Sequence, residues 1–148
     1  MHFENQDVKV GADQLDEVEG RFGVRFPPPL RKLFLHNNGG DPIPYCVERD
    51  GLRTVVNETL PIVSGEGRET ADDVYTDLVL VKKIVPPNYF PFAIDAGGDY
   101  FFVDCDSPTG TVHFFKSDSL LPDNQKLFPL KLGLDEFFNS LVPEESSS

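Results

Sequence analysis

The first forty residues alternate apolar and polar positions in a way that predicts two short amphipathic helices joined by a proline corner. Leu15, Val18 and Phe22 recur at i, i+3 and i+7, one apolar stripe on a 3.6-residue period. Asp13 is expected to accept from the free N–H groups at the head of this helix, and Gly23 to take the positive φ that ends it. Val24 and Phe26 then cross in extended form, because Pro27 and Pro28 each bias the preceding residue away from helix. Pro28 or Pro29 opens a second helix, where a missing N–H costs nothing. Leu30, Leu33, Phe34 and Asn37 continue at helical spacing until Asn38-Gly39-Gly40 stops it.

Ahead of this pair, residues 1–11 read as a loosely held lead-in, in which Phe3, Val8 and Val10 can add a short strand. Beyond it, residues 45–48 and 52–56 read as strands across an Asp50-Gly51 turn, and residues 60–63 can extend the region. Residues 64–69 are polar and form an exposed loop. In residues 70–83, Val74, Leu78 and Val81 fit a helical stripe and Thr70 with Asp73 resembles a capping arrangement. Asp72, Asp73 and Lys82, Lys83 suit the two poles of a helix dipole. The run 78–81 favours strand instead, and helix is the reading adopted. Pro86-Pro87 breaks it, and strands follow at 89–94, 100–104, 111–116 and 126–130. Phe101, Val103 and Cys105 share one face there, with Tyr100, Phe102 and Asp104 on the other; Val112 and Phe114 alternate with His113 and Phe115. Aromatics on both faces imply a sheet covered on one side and partly covered on the other. Gly133 opens a closing helix with Leu134, Phe138 and Leu141 inward, and residues 143–148 form a flexible tail. The pattern predicts a single α+β domain over residues 1–148, with its core at about 13–142. It should hold a mostly antiparallel sheet of five to six strands, an N-terminal helix pair, a middle helix and a C-terminal helix packed against it.

A chain of 148 residues can bury a real core without metal or disulfide staples, and 13 Phe against no Trp and one Met point to a core of phenyl rings. Thirteen Lys and Arg against 25 Asp and Glu leave a formal charge of −12. That field repels nucleic acid and anionic membranes and attracts basic proteins, while also keeping the chain soluble. Cys46 and Cys105 lack CxxC spacing and read as reduced thiols, Cys105 as a small core residue. The N-terminus has no signal-peptide pattern and no run approaches transmembrane length, so the expected location is the cytoplasm.

Chemical motifs are sparse. Gly65-Glu66-Gly67 lacks the Gly-Lys-Ser/Thr of a phosphate loop, and Ser64-Gly65 is no nucleophile elbow. His36 falls where an imidazole can face the last helix carbonyls. His113 can pair with Asp104 across a hairpin, as a polar cross-strand pair or as a base oriented by a carboxylate. Asp95, Asp99, Asp104 and Asp106 fit no calcium-loop spacing; turn chemistry, with Asp99 and Asp106 bonding their own turns, accounts for them. No cofactor or metal is expected.

Taken in order, these segments resemble the SUKH superfamily. The residues that carry the likeness are Gly23-Val24 with Phe26-Pro27, Leu33-Phe34-Leu35 and Asn37-Asn38-Gly39-Gly40. They continue with Phe90-Pro91-Phe92-Ala93-Ile94-Asp95 before Gly97-Gly98-Asp99-Tyr100, and end with Leu134-Asp135-Glu136-Phe137-Phe138 and Leu141. Phe26, Pro27, Asn38, Gly39, Gly40, Gly97, Gly98 and Asp99 stand as its structural motif. The glycine pairs can mark a ligand groove, but the ends of elements that need positive φ account for them without one. That family includes fungal cell-wall assembly regulators and many bacterial immunity proteins. The resemblance implies a non-enzymatic immunity protein that neutralises a cognate toxin delivered between neighbouring cells, or else a regulatory scaffold like the fungal relatives. From the residues alone, a hydrolase using His113 stays open. The partner expected is a basic protein toxin, such as a nuclease, with no direct nucleic-acid or membrane binding and the chain a monomer or weak homodimer. Glu66, Glu69, Asp72 and Asp73 are the expected toxin contacts.

Overall fold

A computed structural model describes residues 2–49, 51–117 and 120–144; Asp50 of the expected hairpin turn and residues 145–148 of the expected tail lie outside them. Helix α1 (Ala12–Phe22) buries Leu15 and Val18, and Gly23 ends it at φ 68°. The third stripe residue, Phe22, lies 4.7 Å from the Tyr75 ring. Asp13 does not cap this helix. Gly11 heads it, its N–H donating to Oε1 of Gln14 at 2.8 Å. Helix α2 (Pro28–His36) begins on Pro28 and buries Leu30, Leu33 and Phe34.

The residues before α1 are held rather than loose. Strand β1 (His2–Glu4) pairs antiparallel with β2 (Asp41–Ile43), Val10 is buried, and Phe3 meets Phe138 edge-on at 5.5 Å. Strands β3 (Cys46–Arg49), β4 (Leu52–Thr59), β5 (Tyr89–Asp95), β6 (Tyr100–Asp104), β7 (Val112–Phe115) and β8 (Leu127–Pro129) form one six-stranded meander, every neighbour antiparallel. With four α-helices among the described residues the fold is α+β, as the periodicities predict.

Strand β5 organises the core. Its register with β6 shifts between Pro91 and Ala93, and this irregularity accommodates a proline inside a central strand. Phe90 lies 4.7 Å from Phe26, 6.3 Å from Phe34 and 5.2 Å from Tyr75. Phe92 meets Phe137 and Phe138 of helix α4 (Leu134–Ser140) at 5.7 and 5.9 Å. Two rings of one strand therefore seat both groups of helices. On the opposite face Phe102 and Phe115 are also fully buried, while Tyr89, Tyr100 and His113 are half-buried.

Residues 70–83 depart from the expected helix. Thr70 makes no side-chain cap, and α3 (Ala71–Tyr75) widens at once into a π-helical stretch, Thr76–Val81. The wider turn changes the phase of the inward stripe. Val74 and Leu78 stay buried, but the next inward position is Val79, and Val81 is left 69% exposed.

Both ends of the meander are shielded. Cys46 and Val142 exchange backbone hydrogen bonds of 3.1 and 3.0 Å along the outer side of β3, and Arg49 Nε donates to the Leu130 carbonyl at 2.7 Å. At β8, Lys126 and Leu130 bond inward to β7, so alternation turns Leu127 and Pro129 outward, and proline has no N–H to offer.

Candidate functional site

The exposed loop 64–69 is stapled to the N-terminal segment through Asp7. This carboxylate is fully buried and accepts from the Val8 and Gly65 N–H groups at 2.8 and 2.7 Å and from the Ser64 hydroxyl at 2.6 Å. Burial works against its ionisation, but these hydrogen bonds and the nearby Arg68 outweigh it and hold the carboxyl below the usual range. A carboxyl depressed in the folded state stabilises above its unfolded pKa of about 3.9 and loses that contribution as pH falls through the folded value. Asp7→Asn is therefore expected to melt lower than wild type at neutral pH, with the gap closing on acidification below about pH 4. Thermal melts from neutral to acid pH test this; a gap independent of pH would show that the charge plays no part.

Arg68 anchors the same loop. Its guanidinium donates to the Asn5 carbonyl at 2.7 Å and pairs with Glu66 at 3.1 Å and Asp7 at 3.8 Å. Glu58 on β4 lies in the same field. Burial raises its pKa, Asp41, Glu69 and Asp7 push it the same way, and Arg68 opposes them. Glu69 connects this group to a second one by accepting the Tyr100 hydroxyl at 2.9 Å. Burial, Glu69 and then Asp77 and Asp99 all raise the Tyr100 pKa, so the phenol sits in a negative field. The loop, β2, β4, β6 and the π-helical stretch thus form one acid-rich face, with Arg68 and Tyr100 set into it.

Of the four expected contact residues, Glu66, Glu69 and Asp73 are exposed. Asp72 turns toward α1, where it pairs with Arg21 at 3.3 Å and is 14% exposed. Asp41, Glu58, Arg68 and Tyr100 were missed by sequence reasoning. Glu58 lies outside the strand expected at 52–56; β4 runs on to Thr59 and brings it into the field of Arg68 and Glu69.

The motif residues serve the scaffold. Asn38 is 3% exposed and fully engaged, its amide donating to the Val8 and Val63 carbonyls and accepting from the Ile62 N–H, each at 2.7 Å. Gly39 has φ 72°, and a Cβ there would stand 3.1 Å from Pro61 Cβ. Gly40 has φ 150°, and a Cβ there would stand 3.0 Å from the Glu4 carbonyl. Phe26 and Pro27 are buried at the corner. Asp95, not Asp99, organises the Gly97-Gly98 turn, accepting from the Gly97 and Asp99 N–H groups at 2.9 and 2.8 Å and from Thr54 at 2.9 Å. Asp99 instead accepts from the Ser117 N–H and hydroxyl beyond β7. Likewise Asp104, not Asp106, holds the next turn through the Asp106 N–H, and also takes Asn88.

The cross-hairpin pair of His113 with Asp104 does not form. His113 stands opposite Phe102, edge-on to Tyr89 at 4.8 Å, while the Asp104 carboxylate is committed elsewhere. Burial lowers the His113 pKa against the pull of Thr111 and Asp104. Burial pushes the Cys105 thiol up to about 12. His36 lines a cleft of about 450 Å³ between α2 and α4. Among the described residues no group of three or more His, Cys, Asp or Glu side chains is placed to hold a metal, and no helix is long and apolar enough to cross a membrane.

An antiparallel meander backed by helices defines a small α+β domain of the SUKH type, built for protein interaction. The chain belongs to the SMI1 / KNR4 family (SUKH-1), whose model matches residues 9–140. No curated protein matches the chain.

Proposed function

We propose that the chain is an immunity protein, a non-enzymatic domain that neutralises a basic protein toxin by covering it with the acid-rich face. The observation that carries this reading is the convergence of Asp41, Glu69, Asp7 and Arg68 on Glu58, with Glu66 paired to Arg68 at 3.1 Å and Glu69 bonded to Tyr100, on which Asp77 and Asp99 also act. On a chain of net charge −12, such a face concentrates the field and speeds encounter with a cationic surface. A nuclease must hold phosphates on a basic site, so a carboxylate-lined surface competes there directly. Tyr100 and Arg68 are residue types that often dominate binding energy when set among weaker polar contacts. The protein acts in the cytoplasm, where Cys46 and Cys105 stay reduced.

Co-expression with the products of neighbouring reading frames is expected to yield a complex with a basic protein. Charge reversal by Glu66→Lys with Glu69→Lys should slow its association by about tenfold at low salt and flatten the salt dependence. Unchanged association rates, or no basic partner, would reject the assignment.

A further inference from the structure

The π-helical stretch Thr76–Val81 carries two exposed apolar side chains that the fold leaves uncovered: Leu80 at 46% and Val81 at 69%. In α-helical register Val81 would continue the inward stripe of Val74 and Leu78; the wider turn rotates it to solvent and puts Val79 inside. The segment that follows is firmly fixed. The Leu78 carbonyl accepts from both the Ile84 and Val85 N–H groups, at 2.9 and 3.3 Å, with Lys83 at φ 54° in a left-handed position that glycine ordinarily fills. The exposed pair is thus displayed on an ordered turn.

Its surroundings supply the chemistry. Asp77 is exposed one turn earlier and forms a solvent-exposed pair with Lys82 at 3.4 Å. Glu69 accepts the Tyr100 hydroxyl at 2.9 Å, and Asp77 and Asp99 act on the same phenol through their charge. Asp73 is also exposed on α3, and Lys83 is the second cation of the segment. The patch therefore has the anatomy of an interface centre, apolar in the middle and charged at the rim, and the rim is predominantly acidic.

We propose that Leu80 and Val81 form the apolar centre of the partner-contact surface and fill an apolar recess on a basic protein, with Asp77, Glu69 and Asp99 aligned on its cations. This rests on the acid-rich face being the toxin-facing one, and names the residues that anchor it.

A random peptide library displayed on phage, selected on the full chain, tests both levels. The expected result is enrichment of peptides with Lys or Arg flanking apolar residues. Their affinity should fall about tenfold or more on Leu80→Ser with Val81→Ser, at an unchanged thermal melt. If binding ignores the serine pair but is lost on Glu69→Lys with Asp77→Lys, the anchor is wrong and the acidic-face reading stands. If no basic peptide is enriched, or the enriched ones ignore both variants, that reading falls too. Sedimentation of the chain alone covers the remaining occupant: a concentration-dependent dimer abolished by the serine pair would assign the patch to a second copy and overturn the proposal.

Discussion

Asn38→Ala is expected to lower the unfolding free energy by about 3–4 kcal/mol, because it removes three short hydrogen bonds at once and leaves buried groups unpaired. The amide joins three segments that have no sheet in common: the lead-in at Val8, the end of α2, and the loop at Ile62 and Val63. Alanine cannot supply the acceptor for the Ile62 N–H or the donors for the two carbonyls. The backbone bond from Asp7 N–H to the Asn38 carbonyl, 3.0 Å, survives the substitution but no longer has a rigid support. Urea titration measures the loss through the midpoint at constant slope. A loss below about 1 kcal/mol would show that the segments are held by packing alone.

Phe90→Ala should cost about 4 kcal/mol, in the range for emptying a fully buried aromatic site. Phe90 is at 0% exposure and touches rings from the corner, from α2 and from α3, so the cavity is walled by Phe26, Phe34 and Tyr75. Those walls belong to the corner and to two separate helices and cannot all close on one void without shifting the elements that carry them. Phe90→Leu should recover most of the loss by refilling the volume. Equilibrium unfolding of the two variants decides it: equal losses for Leu and Ala would mean that ring geometry, not volume, holds this site.

The residue pattern carried the scaffold further than the surface. The helix pair, the meander and the closing helix follow from local periodicity, proline placement and glycine stops, all short-range signals. Phe137 was the exception in α4: Leu134, Phe138 and Leu141 mark the stripe, yet Phe137 is buried beside them because β5 and β6 flank it with Phe92 and Phe101. Residues 70–83 misled because an α-helical period assumes that the helix keeps its register, and a π turn moves every later side chain. The turn aspartates were displaced by four and two residues, from Asp99 to Asp95 and from Asp106 to Asp104, since either member of such a pair can bond a turn and only strand ends decide which does. On the candidate site, Glu66 and Glu69 were visible as loop acids. Asp41 and Glu58 were not, because their neighbours lie across the fold and charge convergence is a property of tertiary contact.

The shielding of both outer strands has a practical outcome for a molecule of this kind. A foreign peptide cannot add itself to β3, already occupied by Val142, and finds at β8 only three residues ending in a proline. On the proposed reading recognition is then written in side chains, which mutate freely without disturbing the ladder beneath. On the reading proposed above such a scaffold can change its target by surface drift alone, and among the described residues the meander offers crowded copies no long open edge on which to nucleate fibrils.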